Sequence, residues 1–297
     1  MRPEECVARS WLFAPGDSER KLEKAAASAA DIVLLDLEDA VAEEAKPRAR
    51  STVAAFLAAH PQERARLWVR INPLRGPHAL GDLAVVMAGR PGGLMLPKVG
   101  SRADVELLNH YLSAFEVVHG IEIGATRVIA LGTETAASVF TMGGYAGAPR
   151  LAALSWGRED LAAAIGASAS RSDEGSHAFT FDLAGSLCLL GAAAAGVAAI
   201  ETIYADFRDE AGLRTRAEGV RRAGFRGMLA IHPAQIPVIN EAFRPSAEDL
   251  VRAQEIIDLF AAHPAVGAIG YQGALLDRPH LARAQALLKL AERPLSL

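Results

Sequence analysis

Cysteine and aromatic residues are scarce in this chain of 297 residues, which has two cysteines and 6% Phe, Trp and Tyr. Cys6 lies in a polar N-terminal stretch and Cys188 in an apolar run, so the two form neither a disulfide framework nor a set of zinc ligands. This cysteine content is typical of a protein in a reducing compartment, and we predict a cytoplasmic location.

Long hydrophobic runs and a signal peptide are also missing. The longest apolar stretch, residues 184–200, contains three glycines and lies between Asp182 and Glu201. A transmembrane helix needs about 20 mostly apolar residues, so this stretch is short and weakly hydrophobic for that role. Glu4 and Glu5 stand where a signal peptide has its apolar region. We therefore expect no membrane partner.

The chain has no excess of positive charge. Its 31 Lys and Arg residues against 35 Asp and Glu residues give a net charge of −4. Contacts to nucleic-acid phosphates require a clustered basic face, so we expect no nucleic-acid partner. The sequence also lacks G-x-G-x-x-G after a strand, a P-loop and G-x-S-x-G, which argues against a Rossmann dinucleotide site, a P-loop nucleotide site and a serine hydrolase.

Short β-rich runs alternate with longer helical patterns through most of the sequence, as in parallel strands joined by crossover helices. Several runs, such as IVLLDLE and VIALGTE, are apolar without alternation, which is typical of strands covered on both faces. We therefore predict an α/β fold, a (β/α)8 TIM barrel, with its eight strands at residues 10–15, 32–38, 67–72, 93–99, 127–133, 151–156, 197–203 and 228–232.

The pattern changes after the eighth predicted strand. Residues 236–243 and 247–263 predict helices, and a Gly-rich loop and a last helix follow. A minimal barrel does not need this chain, and an appended segment packs on its own barrel or on a neighbouring subunit. We therefore divide the sequence into a catalytic barrel, residues 1–245, and a C-terminal extension, residues 246–297.

Polar residues stand at the C-terminal ends of several predicted strands, where (β/α)8 barrels carry their active sites. Glu134 and Asp160 end successive strands. Two carboxylates that leave further positions to water and substrate are typical of Mg²⁺ sites, and a capping or salt-bridged pair is the alternative. Arg70 is suited to clamp a substrate carboxylate or to neutralise nearby acidic residues, and one arginine can do both.

The motif LDLEDA places three carboxylates at the end of the second predicted strand. We interpret Asp36 as structural, and Glu38 and Asp39 as residues that orient the arginine or metal-bound water. Lys98 has the right type for a Schiff-base nucleophile, but no apolar pocket or cationic neighbour lowers its pKa, and we favour an ion pair with these acids. His232 is more typical of a hydrogen-bonded structural residue than of a general base.

Seven motifs in this order resemble the citrate lyase β-subunit-like branch of the HpcH/HpaI aldolase superfamily. The resemblance runs from about residue 9 to the last predicted helix, and the ordered set is more specific than any one motif. It implies a TIM barrel that uses Mg²⁺ to cleave or form a carbon–carbon bond next to a thioester. The motifs are RSWLFAPG, LDLEDAV, VRINP, LPKV, TET, WGREDL and GFRGMLAIHPAQI.

The resemblance also implies roles for single residues. Glu134 and Asp160 would be the ligands of Mg²⁺ or Mn²⁺, and Arg70 would hold the carboxylate of a 2-oxoacid. Basic residues in GDSERKLEKA resemble the family's region for coenzyme A phosphates, namely Arg20, Lys21 and Lys24. The alternative for these three is a solvated helix face.

The segment GYQGALLDRPHLARAQ is similar to the C-terminal motif of malyl-CoA and citramalyl-CoA lyases. This similarity implies that the extension is a lid and that Asp277 of one subunit closes over its neighbour's active site, in a homotrimer or a dimer of trimers. The alternative for Asp277 is a helix N-cap. Met228 and Glu201 depart from the family's usual Lys or Arg and Asp, which leaves the acyl group open.

Together these features predict a Mg²⁺-dependent lyase for coenzyme A thioesters. It would cleave a 3-hydroxy-3-carboxyacyl-CoA of the citramalyl-CoA or malyl-CoA type, by a retro-Claisen reaction, to acetyl-CoA and a 2-oxoacid, pyruvate or glyoxylate. The alternatives are a malyl-CoA-type thioesterase and a citrate lyase β-like subunit of a larger complex. The lid motif favours free CoA esters over a carrier-bound substrate.

Overall fold

The computed structural model describes residues 8–168 and 178–291, and its main feature is a closed barrel of eight parallel strands. Each strand pairs with the next along the chain, and β1 closes the barrel on β8. The predicted (β/α)8 barrel is therefore confirmed. The strands are β1 Ser10–Pro15, β2 Ile32–Asp36, β3 Leu67–Arg70, β4 Gly93–Leu96, β5 Arg127–Leu131, β6 Leu151–Ser155, β7 Ala198–Glu201 and β8 Gly227–Ala230.

Helices follow the strands and cover the outside of the barrel. None within residues 8–168 and 178–291 is long and apolar enough to cross a membrane. Cys6 lies outside these ranges, and Cys188 is buried. The helices are α1 Glu19–Ala26, α2 Lys46–Ala59, α3 Ala79–Val86, α4 Arg102–Val118, α5 Ala136–Val139, α6 Arg158–Ile165, α7 Phe179–Ala195, α8 Glu210–Ala223, α9 Gln235–Ala242, α10 Ala247–Ala262 and α11 Arg278–Ala291.

Side chains of the strands alternate between the barrel interior and the layer beneath the helices. The interior is filled by apolar residues, with the rings of Trp11 and Trp68 meeting edge to face at 5.2 Å between centroids. The outer row, with residues such as Val33 and Val69, packs against the helices in a second, larger core. Because both cores are filled, functional side chains have room only at the strand ends.

Several strands end earlier than the sequence predicts. The Asp36 carboxylate accepts the backbone N–H groups of Glu38 at 2.9 Å and Ala40 at 3.3 Å, which turns the chain out of β2. Lys98 and Thr133 follow β4 and β5 with positive φ angles of 51° and 148°. These angles are incompatible with a continued strand. The polar residues of the two motifs therefore lie in the loops just after β4 and β5.

The C-terminal extension contains a β-hairpin, so the predicted Gly-rich loop is wrong. β9, Ala268–Tyr271, pairs antiparallel with β10, Ala274–Asp277. Gln272 and Gly273 join them with φ angles of 48° and 77°. Two residues with positive φ form the turn that best matches the twist of a hairpin, and the Gln-Gly pair between two short apolar runs was the unrecognised signal.

The extension has a hydrophobic cluster of its own, separate from both cores of the barrel. Phe260 of α10 packs there with Leu276 of β10 and Ala284 of α11. An ion pair of 3.0 Å between Arg221 of α8 and Asp249 of α10 ties the extension to the barrel. The hairpin is largely exposed, and 70% of Leu275 is accessible to solvent.

Candidate active site at the barrel mouth

Arg70, the last residue of β3, binds two carboxylates with its guanidinium group. Nε and Nη2 donate to Asp36 at 2.7 and 2.6 Å, and Nη1 lies 2.9 Å from Glu38 Oε2. Its guanidinium carbon lies 4.5 Å from the ring centroid of Phe13. Burial lowers the pKa of Arg70, but the two carboxylates outweigh it and raise this pKa above its ordinary value. Arg70 thus neutralises the acidic residues, while its Nη1 and Nη2 retain N–H groups that Asp36 does not use.

Lys98 forms the ion pair that the sequence favours. Its Nζ lies 2.7 Å from Glu38 Oε1, 3.3 Å from Asp39 Oδ1 and 3.5 Å from Asp160 Oδ1. Burial lowers the pKa of Lys98, but the hydrogen bond and charge of Glu38, with smaller contributions from Asp39 and Asp160, raise it above its ordinary value. A lysine held as a cation is a poor Schiff-base nucleophile.

The structure brings Glu134 and Asp160 together beside Lys98. Glu134 is 3% exposed, and its carboxylate accepts the backbone N–H of Lys98. Burial raises the pKa of Glu134 well above its ordinary value, and the charges of Asp160 and Glu38 raise it further. The Asp160 side chain is 34% exposed.

This pair fits a divalent cation. A metal ion would offset the burial of the Glu134 carboxylate, and oxygen donors are the ligands that Mg²⁺ prefers. In the part of the chain that the structure describes, no group of three or more His, Cys, Asp or Glu residues could hold a metal. Two carboxylates, with further positions for water and substrate oxygens, match the usual ligand set of Mg²⁺ in enzymes.

Thr133 and Gly157, for which the sequence predicts no role, hold Glu134 in place. Thr133 is fully buried at its φ of 148°, a rare conformation for a β-branched residue, and its Oγ1 accepts the N–H of Gly157 at 3.3 Å. A Cβ atom on Gly157 would come within 2.7 Å of Glu134 Cγ. Glycine is thus required at position 157 for the close approach between the loops after β5 and β6. The motifs TET and WGREDL contain Thr133 and Gly157, but neither motif by itself reveals this contact.

A buried lysine supports the loop after β2. Lys46 is 8% exposed and is the first residue of α2. Its Nζ donates to the carbonyls of Leu37 at 3.1 Å and Glu38 at 3.0 Å and to Asn72 Oδ1 at 2.8 Å. This cation fixes the loop that presents Glu38 to Arg70 and Lys98.

A cavity of about 180 Å³ opens at the C-terminal end of the barrel beside these groups. Charged side chains lie on one side of it and apolar side chains on the other. It is lined by Phe13, Asp36, Ala40, Arg70, Leu131, Glu134, Trp156, Gly157, Arg158, Glu159, Asp160, Thr202, Ile203, Leu229 and Ile231.

The three basic residues of α1, Arg20, Lys21 and Lys24, are exposed. α1 follows β1 directly, and buried Leu22 anchors the helix to the barrel. Arg20, Lys21 and Lys24 take part in no ion pair with the described residues. Their exposed side chains are therefore compatible with both predicted alternatives, an anion-binding site and a solvated helix face.

Asp277 does not line the cavity of its own chain. It ends β10 just before α11, and its Oδ1 lies 2.5 Å from His280 Nδ1. Hydrogen bonds from the side chain and backbone of His280 hold the pKa of Asp277 below its ordinary value. Within one chain Asp277 is thus placed like the N-cap that the sequence left as an alternative.

The two departures from the family pattern point away from the cavity. Met228 is buried in the core beneath the helices. Glu201 accepts the indole N–H of Trp156 at 3.2 Å and binds Arg216 of α8 at 2.6 Å. Neither lines the cavity, so their effect on the acyl group is at most indirect.

His232 also has a structural environment. Its ring stacks on Phe207 with 4.6 Å between centroids, and its Nδ1 accepts the N–H of Ala234 at 3.2 Å. The structural interpretation of this histidine, favoured from the sequence, agrees with these contacts.

A family model described as HpcH/HpaI aldolase/citrate lyase matches residues 9–233. The chain is similar to the citrate lyase subunit beta-like protein of Mycobacterium tuberculosis, with 36% identity across 95% of this chain and 94% of that protein. It is 33% identical to a (3S)-malyl-CoA thioesterase of Cereibacter sphaeroides, across 96% of this chain and 94% of the relative. It is 32% identical to the mitochondrial citramalyl-CoA lyase of Rattus norvegicus, across 95% and 86%.

The fold also resembles a solved structure with bound ligands. This is the crystal structure of CitE from M. tuberculosis in complex with magnesium, acetoacetate and coenzyme A. The TM-score is 0.82 at 35% identity, across 97% of this chain and 99% of that chain.

Proposed function

The chain belongs to the HpcH/HpaI aldolase/citrate lyase family, and from this premise we propose that it is a Mg²⁺-dependent lyase of CoA thioesters. Its substrate is a 3-hydroxy-3-carboxyacyl-CoA of the citramalyl-CoA or malyl-CoA type, and its products are acetyl-CoA and a 2-oxoacid. The observation that carries the proposal is one cavity lined by two metal-competent carboxylates, Glu134 and Asp160, and by Arg70.

Glu134 and Asp160 would hold the metal ion, which when bound acts as a Lewis acid toward the substrate's carboxylate and hydroxyl oxygens. Arg70 binds the carboxylate of the 2-oxoacid part through the N–H groups that its own acidic partners leave. Asp36 and Glu38 keep the guanidinium group in that orientation, because both are buried and bound to it. Preorganised charge of this kind costs little reorganisation during the reaction.

In cleavage, the substrate hydroxyl loses its proton to solvent and becomes the carbonyl of the 2-oxoacid. The electrons of the broken carbon–carbon bond pass to the thioester part, whose carbon then takes a proton. We assign this proton transfer to Asp277 of a neighbouring subunit, whose carboxylate takes up a proton from solvent and passes it to that carbon. The lid motif supports the assignment, and a neighbour is needed because no described residue of the extension lines the cavity of its own chain. The assembly would be a homotrimer or a dimer of trimers. The exposed basic residues of α1, Arg20, Lys21 and Lys24, would bind the coenzyme A phosphates.

Product analysis tests this proposal. Purified protein receives citramalyl-CoA and malyl-CoA, with and without Mg²⁺, and products are identified by mass spectrometry. We expect Mg²⁺-dependent acetyl-CoA together with pyruvate or glyoxylate. If neither substrate is converted, the result would contradict the proposal and favour a subunit of a larger complex. Partner proteins that co-purify with the chain would identify such a complex.

Asp277→Asn tests the proton transfer separately. Turnover should fall about 10²- to 10⁴-fold, the usual contribution of a positioned proton-transfer group, with metal binding unchanged. Asp258→Asn, an exposed change on α10 of the same extension, is the matched control and should retain turnover. Near-normal turnover of Asp277→Asn would remove this residue from the mechanism.

A thioesterase is the second candidate, since relatives about one-third identical carry that name. The same site could direct water at the thioester carbonyl. Free CoA with an intact hydroxydiacid, and no 2-oxoacid, would identify this reaction in the experiment above.

A further inference from the structure

The two walls of the active-site cavity differ in chemistry. One wall comes from the loops and ends of β2, β3, β5 and β6 and contains the carboxylates and Arg70. The other wall comes from β1, β7, β8 and the residues just after them, and apart from Thr202 it is apolar, with Phe13, Ile203, Leu229 and Ile231. Closure of the barrel makes this second wall continuous, because β8 pairs with β1.

The floor of the cavity is formed by two apolar side chains, Leu131 at the end of β5 and Leu229 of β8. These side chains are 4% and 3% exposed, whereas Ile231 at the rim is 39% exposed. Both deep residues belong to the apolar interior of the barrel. A group that reaches this floor is therefore surrounded by hydrocarbon and separated from bulk water.

From this geometry, and resting on the proposed function, we infer that the 2-oxoacid half of the substrate carries an alkyl side group against Leu131 and Leu229. The carbon that becomes the carbonyl has a carboxylate, an oxygen, a bond to the thioester part and one further substituent. The first two belong at the charged wall, and the thioester part must extend to the mouth where coenzyme A enters. The fourth substituent is left facing the apolar floor.

A second carboxylate would be poorly accommodated there. Arg158 is the other guanidinium at the cavity, and its Nε and Nη2 lie 2.9 and 2.6 Å from Glu159 Oε1. Its charge also acts on Glu201, whose side chain lies outside the barrel. A carboxylate buried without a cation is strongly disfavoured, by about 10²- to 10³-fold when expressed as a rate.

A hydrogen atom would also fit worse than a methyl group. One missing methyl or methylene group in an apolar pocket lowers kcat/KM by about 10- to 200-fold. The inference therefore orders three substrates by their fourth substituent: citramalyl-CoA with methyl, then malyl-CoA with hydrogen, then citryl-CoA with carboxymethyl.

The test measures kcat/KM of the wild-type protein for cleavage of these three thioesters, with Mg²⁺, by the 2-oxoacid released. We expect citramalyl-CoA to exceed malyl-CoA by about 10- to 200-fold and citryl-CoA by more. A preference for malyl-CoA or citryl-CoA would overturn the inference and leave the proposed function intact. Release of no 2-oxoacid from any of the three would overturn both.

Variants locate the selectivity. Leu229→Ala should lower the ratio of citramalyl-CoA to malyl-CoA and admit the homologue with ethyl in place of methyl. Leu80→Ala, a truncation of an exposed leucine on α3 outside the cavity, should leave the ratio unchanged. Leu131→Ala provides a second test of the floor if Leu229→Ala does not fold. An unchanged ratio in both floor variants would overturn the assignment of these residues. Citryl-CoA cleavage that is abolished by Arg158→Gln would show that Arg158 binds a second carboxylate and overturn the inference.

Discussion

The barrel and the C-terminal extension differ in what each completes alone. The barrel fills two cores, inside its strands and beneath its helices, and holds Arg70, Glu134 and Asp160 around one cavity. The extension has one small cluster, leaves Leu275 exposed and carries Asp277 outside that cavity. The proposed binding groups thus lie on a closed barrel, and the proposed proton-transfer group lies beside an exposed hairpin outside it.

The largest effect should come from the barrel. Glu134→Gln should lower turnover about 10³-fold, because a bound metal supplies several kcal/mol of charge stabilisation. Mg²⁺ at one hundred times its Kd should stabilise the wild type by about 2.7 kcal/mol and so raise its melting temperature. The variant should lose this rise.

Glu159→Gln is the matched control for that change. Its side chain is 55% exposed and lies next to Asp160 in sequence. It should keep its thermal response to Mg²⁺. A full response in Glu134→Gln would mean that the metal binds elsewhere.

A mixing experiment tests whether the extension acts on another barrel. Arg70→Met and Asp277→Asn should each be nearly inactive. Co-expressed in equal amounts, they should recover about one quarter of the wild-type rate, because random assembly gives a quarter of the sites an intact barrel and an intact lid from the other variant. No recovery, with mixed oligomers verified by mass spectrometry, would show that Asp277 acts within its own chain or not at all.

A smaller effect should follow from Gly157→Ala. The added methyl group would overlap the Glu134 side chain, since a Cβ there lies 2.7 Å from Cγ. Overpacking of this kind costs about 1–3 kcal/mol, so Mg²⁺ affinity should fall by about 10- to 100-fold. Isothermal titration with Mg²⁺ measures it, and Gly219→Ala in α8, where a Cβ meets open space, is the control. Equal affinities for the two variants would contradict the contact.

The smallest effect should come from the tie between barrel and extension. Arg221→Gln removes the ion pair with Asp249. The side chain of Arg221 is 17% exposed and that of Asp249 is 39% exposed. A pair this close to solvent is worth about 1 kcal/mol or less, or a few degrees of melting temperature. Calorimetry measures this shift, and a loss above about 10 °C would contradict the small contribution expected of an ion pair close to solvent.

The sequence predicted the barrel well because its signals are local. Each strand is a short apolar run. Arg70 ends β3, Glu134 lies in the loop after β5 and Asp160 lies in the first turn of α6 after β6, so strand order alone places the three at the same end. The hairpin was missed because its strands have four residues each and its turn uses Gln-Gly, a weaker signal than Asn-Gly.

The roles of Thr133, Gly157 and Lys46 could not be predicted in the same way. Each depends on a contact between loops of different strands, such as Lys46 Nζ with Asn72 Oδ1 at 2.8 Å. Arg70 shows the same limit: its residue type fits both a clamp and a neutraliser, and only the distances to Asp36 and Glu38 show how many donors remain.

The sequence by itself determined the closed barrel, the end of it that carries the site and the residue types available for metal and carboxylate binding. These follow from apolar periodicity and from the order of motifs along the chain. Only the tertiary structure decided which faces those residues present. Barrel closure pairs β1 with β8 and joins their apolar side chains into one wall, and strand alternation turns Met228 and Glu201 outward. The direction in which these side chains point depends on strand pairings between segments more than 200 residues apart, such as Ser10 with Met228. No local sequence pattern contains such a pairing.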